Sequence, residues 1–126
     1  HGTYSVRMHL LNDVITSVNV FNLAYLQIKE VVSENPGMAG PAFDLSLCRE
    51  WYQGHYMTNS EYTFDTANVA IKSGDADCIS FGKLFIANPD LVERFATQSP
   101  LNTPDSDSFY GGDAHGYIDY PFLTEQ

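Results

Sequence analysis

Basic residues, cysteines and long apolar runs are all scarce in this sequence of 126 residues. Six Lys and Arg side chains stand against sixteen Asp and Glu, which gives a formal net charge of −10. A field of this sign repels phosphate backbones and anionic lipid surfaces, so nucleic acid is not expected as a partner. The acidity is compatible with a well-solvated surface and equally with binding to a basic face of another protein.

The longest apolar candidate, Val14 to Leu26, is interrupted by four polar residues and falls short of the roughly 20 apolar residues that cross a bilayer. We therefore predict a soluble chain without a transmembrane segment, in a compartment that the sequence does not name. Cys48 and Cys78 lack neighbours at metal-ligand or redox spacing and lie in apolar stretches, which predicts buried free thiols. The first residue is His1, which leaves open the removal of a targeting segment or a fragment of a longer chain.

An apolar fraction of 44% with 13% aromatics is typical of a globular chain. We expect a single domain over residues 1–126, with helix/strand repeats over 1–98 and an irregular, aromatic-rich tail over 99–126. Apolar periodicity and cap residues predict helices Met8–Val18, Phe43–Tyr52, Phe64–Lys72 (capped by Thr63 and ended by Gly74) and a helix that starts at Asn88-Pro89 and ends near Thr97. The segment Ser33–Pro41 is predicted to be a loop.

Three predicted strands lie between these helices: Leu23–Glu30, His55–Thr58 and Asp77–Phe81. Strict alternation of helices and strands is typical of a parallel sheet joined by crossover helices, which places the chain in the α/β class. The first strand itself alternates, because Leu26 and Ile28 share one face while Gln27 and Lys29 share the other.

Several motifs in the second half resemble one known family. They are the run Ser73-Gly74-Asp75-Ala76-Asp77-Cys78-Ile79-Ser80-Phe81-Gly82-Lys83-Leu84-Phe85-Ile86-Ala87-Asn88-Pro89-Asp90-Leu91, then Pro100-Leu101-Asn102, Phe109-Tyr110-Gly111-Gly112 and Gly116-Tyr117-Ile118-Asp119-Tyr120-Pro121. In this order and spacing they resemble the last strand and C-terminal signature of the Old Yellow Enzyme family of FMN-dependent NAD(P)H ene-reductases. Leu23-Ala24-Tyr25-Leu26 looks like the sixth strand, and His1-Gly2-Thr3-Tyr4 looks like the loop after the fifth.

The resemblance implies a partial (β/α)8 barrel with strands six, seven and eight only. In the family, the proton-donor tyrosine and the substrate-binding His/Asn or His/His pair lie on earlier strands, so the resemblance assigns no catalytic residue to this sequence. FMN is the cofactor of the family, and we expect its binding here to be weak or absent.

The resemblance also implies a vestigial FMN phosphate site. Lys83, after Gly82, matches a position where the family usually has an arginine; an ammonium attracts phosphate but lacks the bidentate fork of a guanidinium. The run Asn59-Ser60-Glu61-Tyr62 falls where the family has a glycine pair whose backbone approaches the phosphate, and Ser60 adds a side chain in that space. Glu61 adds a negative charge there.

Phe109 and Tyr110 match the aromatic pair that faces flavin and substrate in the family, although packing is the ordinary role of such residues. His55 and His115 have no partners for a metal site in the sequence. Asp75, Asp77 and Asp90 are interpreted as helix-end and loop carboxylates.

Two functions follow from the resemblance. In one, the chain is a non-catalytic remnant that acts as a structural or interaction subunit, with another protein chain covering its sheet edges and open barrel face. In the other, it is the C-terminal segment of a working FMN-dependent ene-reductase whose catalytic half is supplied by another chain.

Overall fold

The computed structural model describes residues 2–29 and 45–125, with side chains over 5–29 and 45–124. Helices and strands alternate along most of this length, as predicted. The elements are α1 (Gly2–Val18), β1 (Leu26–Lys29), α2 (Ser46–Trp51), β2 (Tyr56–Asn59), α3 (Phe64–Ser73), β3 (Cys78–Ser80), α4 (Gly82–Ala87), α5 (Leu91–Thr97) and two short 3-10 turns, Ser106–Ser108 and Leu123–Glu125. The predicted loop Ser33–Pro41 and the predicted helix start at Phe43 lie outside the described residues.

The chain divides into two compact units, His1–Ser80 and Phe81–Gln126. Unit 1 contains α1 to α3 and the strands, and unit 2 contains α4, α5 and the tail. The single domain expected over residues 1–126 stays a prediction.

The described strands form a parallel sheet in the order β1-β2-β3, which confirms the predicted parallel arrangement. Parallel neighbours require crossover connections, and α2 and α3 lie in those connections. The register pairs Leu26 with Tyr56 and Ile28 with Thr58, while Thr58 also pairs with Ile79. Because successive side chains alternate between faces, these residues share one face of the sheet.

That face covers the core of unit 1. The core is a buried cluster with partly buried apolar side chains packed against it from α1 and the strands. The buried residues are Ile15, Cys48, Tyr52, Tyr56 and Ala76, and the side chains packed on them include Leu11, Val18, Leu26, Ile28 and Ile79. Burial of each large apolar side chain contributes about 1.5–3 kcal/mol. The predicted stripe of the first helix is thus confirmed at Leu11, Ile15 and Val18, whereas Val14 is exposed.

Helix α3 begins and ends where the sequence predicts. Thr63 accepts a hydrogen bond from the Thr66 backbone N–H, and the Thr66 side chain accepts one from the Thr63 N–H, which closes a reciprocal cap. At the other end Gly74 adopts φ +83°, a left-handed conformation that residues with a Cβ rarely take. One residue beyond the predicted Lys72, Ser73, completes the helix.

The start of the last predicted helix is wrong. Residues Gly82–Ala87 form α4, and Asn88 caps the C-terminus of that helix rather than the N-terminus of the next. The next helix, α5, starts at Leu91 after Asp90. The Asn-Pro signal misleads because the Asn88 side chain bonds to Leu84 and to the tail, so it is not available to cap α5.

Several boundaries differ from the predictions by a few residues. α1 starts at Gly2 instead of Met8, α2 covers Ser46–Trp51 of the predicted Phe43–Tyr52, and β2 is shifted by one residue. β1 retains only Leu26–Lys29, since Leu23–Tyr25 precede the strand and Glu30 is not among the described residues. β3 is shortened from the predicted Asp77–Phe81 to Cys78–Ser80.

The two thiols have different environments. Cys48 is buried in the core as predicted, but Cys78 is exposed, so the prediction for Cys78 is wrong. Ile79 faces the core, and strand alternation therefore turns Cys78 toward the opposite face. Over residues 2–29 and 45–125, none of the helices has the length and apolar character required to cross a membrane.

Candidate functional site

Asn59 ends β2 on the sheet face opposite the core, where the resemblance places part of a phosphate site. Its Nδ2 donates to the Ser80 carbonyl oxygen at 2.8 Å and to Ser80 Oγ at 2.9 Å. An amide nitrogen has two hydrogens, so both donors of Asn59 are engaged in joining β2 to β3. Asn59 is thus placed as a structural clamp between neighbouring strands.

Gln27 extends this polar contact across the sheet. Its Nε2 donates to Ser80 Oγ at 2.9 Å, so side chains from β1 and β2 converge on one hydroxyl of β3. Lys29 is exposed and lies in register with Asn59, which in turn pairs with Ser80. The alternation predicted for the first strand is confirmed, with its polar side chains on this face.

Ser60 and Glu61 follow directly after β2. Ser60 is half-buried and Glu61 is exposed. A phosphate cradle needs backbone or side-chain N–H groups that point at the anion. The Asn59 side-chain amide is committed to Ser80, and Glu61 adds a carboxylate, while the part played by Asn59 and Ser60 in binding a phosphate stays a prediction.

Gly82 and Lys83 lie in the first turn of α4, in unit 2. A Cβ built on Gly82 would have no heavy atom within 4 Å, so packing does not require glycine there. The Lys83 side chain is exposed. Lys83 supplies one positive charge, and the part played by this pair in binding stays a prediction.

Phe109 and Tyr110 follow the 3-10 turn Ser106–Ser108 in the tail. Phe109 is half-buried, whereas the Tyr110 side chain is 98% exposed. Their expected role as flavin-facing aromatics stays a prediction.

The structure also brings together a polar group that sequence reasoning missed. Arg94, buried in α5, contacts Asp90 Oδ1 at 2.6 Å and donates to the carbonyl oxygens of Pro100 (2.6 Å) and Pro121 (3.0 Å). Asp90 Oδ2 accepts from the Leu123 N–H at 2.6 Å. Burial raises the pKa of the Asp90 carboxyl, but the hydrogen bonds from Arg94 and Leu123 outweigh it and hold that pKa below its usual value.

Asp90 is therefore more than the loop carboxylate predicted from sequence. With Arg94 it attaches both ends of the tail, at Pro100 and near Leu123, to α5. The available signal was the spacing of an acid and an arginine four residues apart, which puts them on one helical face. The motifs Pro100-Leu101-Asn102 and Asp119-Tyr120-Pro121 supply the carbonyl oxygens that this group needs.

Asp77 similarly has a defined structural role in unit 1. It forms an ion pair with Arg49 at 3.3 Å and accepts from the Tyr56 N–H at 2.8 Å, which links α2 to the starts of β2 and β3.

His115 and Asp119 form an exposed pair in the tail, with Nδ1 and Oδ2 2.9 Å apart. Asp119 also accepts from the Gly116 N–H at 2.7 Å. The hydrogen bond to Asp119 raises the pKa of His115, and the same bond lowers the pKa of Asp119. In the part of the chain that the structure describes, no three His, Cys, Asp or Glu residues are grouped so as to hold a metal ion.

Comparison with known proteins identifies relatives of the chain. It is 50% identical over 78 residues to 12-oxophytodienoate reductase 7 of Oryza sativa subsp. japonica, covering 61% of this chain and 20% of that protein. It is 34% identical over 110 residues to a probable flavin mononucleotide-dependent alkene reductase of Leishmania infantum, covering 87% of this chain and 29% of that protein. No model of a protein family matches the sequence.

The solved structures that are similar to the chain include proteins of the same type. The old yellow enzyme from Trypanosoma cruzi matches with a TM-score of 0.80 and 35% identity, covering 91% of this chain and 30% of that one. The chain thus spans between a fifth and a third of the length of the proteins it matches. Its parallel strands and crossover helices correspond to a partial (β/α)8 barrel. The chain is homologous to part of an Old Yellow Enzyme-type reductase. Its motifs indicate that this part consists of the C-terminal strands and the tail.

Proposed function

We propose that the chain is a non-catalytic part of an Old Yellow Enzyme-type barrel that acts as a structural or interaction subunit of a larger assembly. The observation that carries this proposal is the engagement of the Asn59 amide with Ser80, at the position where the resemblance expects a phosphate cradle. The side-chain donors of Asn59 are used to hold two strands together, and Glu61, two residues later, adds a negative charge that opposes a phosphate. FMN binding to this chain is therefore weak or absent.

The edges of the sheet support the proposal that another chain binds to this one. Within the described residues, β1 and β3 each pair with β2 alone, so each has one edge without a neighbouring strand. A strand edge is a row of backbone N–H and C=O groups that proteins normally cover. A second protein chain that covers these edges, and the polar sheet face beside them, completes the assembly.

The alternative is the C-terminal segment of a working FMN-dependent NAD(P)H ene-reductase, assembled with a chain that carries the catalytic residues. Similarity to a probable flavin mononucleotide-dependent alkene reductase favours it. In that assembly Lys83 offers its ammonium to the FMN phosphate, while Phe109 and Tyr110 face the flavin.

Sedimentation velocity combined with hydrogen exchange tests the proposal. We expect the purified 126-residue chain to exchange rapidly in β1 and β3, and to become protected there only in a complex of higher mass. A compact monomer with both strands strongly protected would contradict the subunit role. A complex that absorbs as bound flavin and reduces an activated C=C bond would establish the alternative.

A further inference from the structure

Two turns of the tail lie on either side of residues 109–113, a short loop that begins with Phe109 and Tyr110. The first turn is the 3-10 turn Ser106–Ser108. The second turn, residues 114–118, is closed by a hydrogen bond of 3.1 Å from its last N–H to its first carbonyl oxygen. We call residues 109–113 the aromatic loop and the two turns its base.

Two contacts that do not depend on charge join the turns. The Asp105 N–H, directly before the first turn, donates to Tyr120 Oη at 2.9 Å, and this tyrosine lies just after the second turn. The Ser108 side chain packs so closely on Gly116 that a Cβ at Gly116 would overlap it. The aromatic loop is therefore closed at its base by a hydrogen bond and by packing.

His115 adds a contact that depends on charge. Its Nδ1 lies 2.9 Å from Asp119 Oδ2, and its backbone N–H donates to Asp113 Oδ1 at 2.9 Å. The pKa of His115 is raised, first by the hydrogen bond and the charge of Asp119 and then by the charges of Asp113 and Asp105. Asp105 belongs to the first turn, whereas Asp113 and Asp119 flank the second. Carboxylates from both sides of the base thus act on one imidazole ring.

The sequence of the tail offers these acids a single cation. Residues 99–126 contain five carboxylates and no Lys or Arg, so His115 is the side chain of this segment that can become positive. A protonated ring attracts the acids of both turns. When the ring is neutral, Asp105 and Asp107 on the first turn repel Asp113 and Asp119 on the second. Protonation and closing of the base therefore favour each other.

We propose that the base of the aromatic loop is a pH-sensitive clasp, closed while His115 is protonated and loosened when His115 is neutral. The clasp decides how firmly Phe109 and Tyr110 are held, because Phe109 directly follows the Ser108 side chain that packs on Gly116. While the carboxyls are ionised, the closed form is favoured below the unfolded histidine pKa, ~6.5, and is lost as the pH rises through the higher folded pKa. The clasp lies within unit 2 and depends neither on FMN nor on another chain.

NMR of the full chain at a series of pH values tests the clasp. One measurement is the pKa of the His115 ring in the folded and in the urea-unfolded chain. The others are the hydrogen-exchange protection of the Asp105 amide and the NOE between Ser108 and Gly116. Each unit by which folding raises the ring pKa allows a change of about tenfold in the closing equilibrium. We expect the protection to fall by up to this factor, and the NOE to weaken, with the midpoint of the ring. Unchanged protection and an unchanged NOE through the ring titration would overturn the proposal.

Matched variants assign the pH dependence to the ring. His115→Gln keeps a side-chain donor for Asp119 but removes the charge, so the protection of the Asp105 amide should be low at all pH values and should no longer titrate. His55→Gln, at an exposed site of unit 1, is the control and should leave the titration unchanged. Asp105→Asn removes the carboxylate of the first turn but keeps an oxygen for the Asp107 N–H, so it should lower the His115 pKa and flatten the pH dependence.

A titration that persists in His115→Gln with the same midpoint would assign the pH dependence to another group and overturn the proposal. These measurements involve neither sedimentation nor FMN. Failure of the clasp can therefore be distinguished from failure of the subunit role.

Discussion

Asn88 and Asn102 bind each other through side-chain and backbone groups. Asn88 Oδ1 accepts from the Asn102 N–H at 2.7 Å, and Asn88 Nδ2 donates to the Asn102 carbonyl oxygen at 3.3 Å. The Asn102 side chain returns to α4 by donating to the Ala87 carbonyl oxygen at 2.8 Å. A fully buried asparagine that ends one helix therefore also holds the first part of the tail.

Replacing Asn88 with Ala should destabilise unit 2 by about 1–3 kcal/mol, because it removes the acceptor of the half-buried Asn102 N–H. Urea unfolding of the purified variant measures the change in the free energy of unfolding. Asn88→Asp retains the acceptor and should lose less. Asn68→Ala is the matched control, since the Asn68 side chain donates to the Phe64 carbonyl oxygen one helical turn earlier and not to the tail. Equal losses for Asn88→Ala and Asn68→Ala would contradict the role assigned to Asn88.

Much of unit 1 could be predicted from the sequence because local signals and packing agree there. Thr63 and Gly74 mark the ends of α3, and the alternation of Leu26 to Lys29 gives the two faces of β1. The exposure of Cys78 was predictable as well, from its position next to the core-facing Ile79, but apolar neighbours in the sequence suggested burial.

Unit 2 was harder to predict because its polar residues bind partners far away in the sequence. Asn88-Pro89 has the composition of a helix start, yet the Asn88 side chain bonds to a residue 14 positions later. In unit 1 the role of Asn59 in joining β2 to β3 was missed for the same reason, since its partner Ser80 is 21 positions away. A single sequence reports local preference but not which distant carbonyl oxygen a side chain reaches.

The tail anchor is the group that holds the tail to α5 and consists of Asp90, Arg94, Pro100, Pro121 and Leu123. Among single replacements in this group, replacing Arg94 should lower the free energy of unfolding most. Its buried guanidinium donates to Asp90, Pro100 and Pro121, so Arg94→Met removes the donor of Asp90 Oδ1 and of the Pro100 carbonyl oxygen. The Pro121 carbonyl oxygen keeps the donor from Asn102 Nδ2, and Asp90 Oδ2 keeps the Leu123 N–H. We expect a loss of about 3 kcal/mol in the free energy of unfolding.

Arg94→Lys keeps the charge but not the fork of donors, so it should recover only part of that loss. Proteolysis of the tail after Pro100 should accelerate in both variants, because the tail would detach from α5. Lys72→Met, on the exposed surface of α3, is the control for removing a positive charge. Full stability in Arg94→Met would show that the tail does not depend on this anchor.

Two glycines of the tail allow the free-energy cost of a left-handed backbone to be measured separately from the cost of side-chain overlap. Gly112 has φ +82° with open space around its Cβ position, so Gly112→Ala should cost only the backbone term, about 1 kcal/mol. Gly116 has φ +69° and also packs against the Ser108 side chain, so Gly116→Ala should cost clearly more. Adding Ser108→Gly should restore part of the Gly116→Ala loss and none of the Gly112→Ala loss, as thermal unfolding would show. Equal effects of Ser108→Gly in both backgrounds would contradict the packing.

The His115–Asp119 pair predicts that the order of the turn around Gly116 depends on pH. The pKa of His115 is raised, so its contribution is present below the unfolded value, ~6.5, and is lost as the pH rises through the higher folded value. The pKa of Asp119 is lowered, so its contribution is present above its unfolded value, ~3.9, and is lost as the pH falls through the lower folded value. The turn should be most ordered between these limits.

NMR titration of the His115 ring and of the Gly116 amide follows both events. Asp119→Asn should return the His115 pKa toward its ordinary value, whereas Asp107→Asn should change it less, because the hydrogen bond to the ring comes from Asp119. An unchanged His115 pKa in Asp119→Asn would exclude the pair.

The last prediction concerns FMN itself. Because the Asn59 amide is committed to Ser80 and Glu61 adds a negative charge, the chain should bind FMN with a dissociation constant weaker than about 1 μM, as measured by quenching of flavin fluorescence. Ser60→Gly with Glu61→Gly should strengthen binding modestly, since it removes a side chain and a charge that is worth about 1 kcal/mol at 4 Å in water. Asp65→Asn, in the first turn of α3, controls for the change in net charge. A dissociation constant for FMN at or below about 1 μM, measured on the unchanged chain, would contradict the non-catalytic role. An equal gain from Asp65→Asn would instead assign the improvement to net charge and not to a phosphate site beside β2.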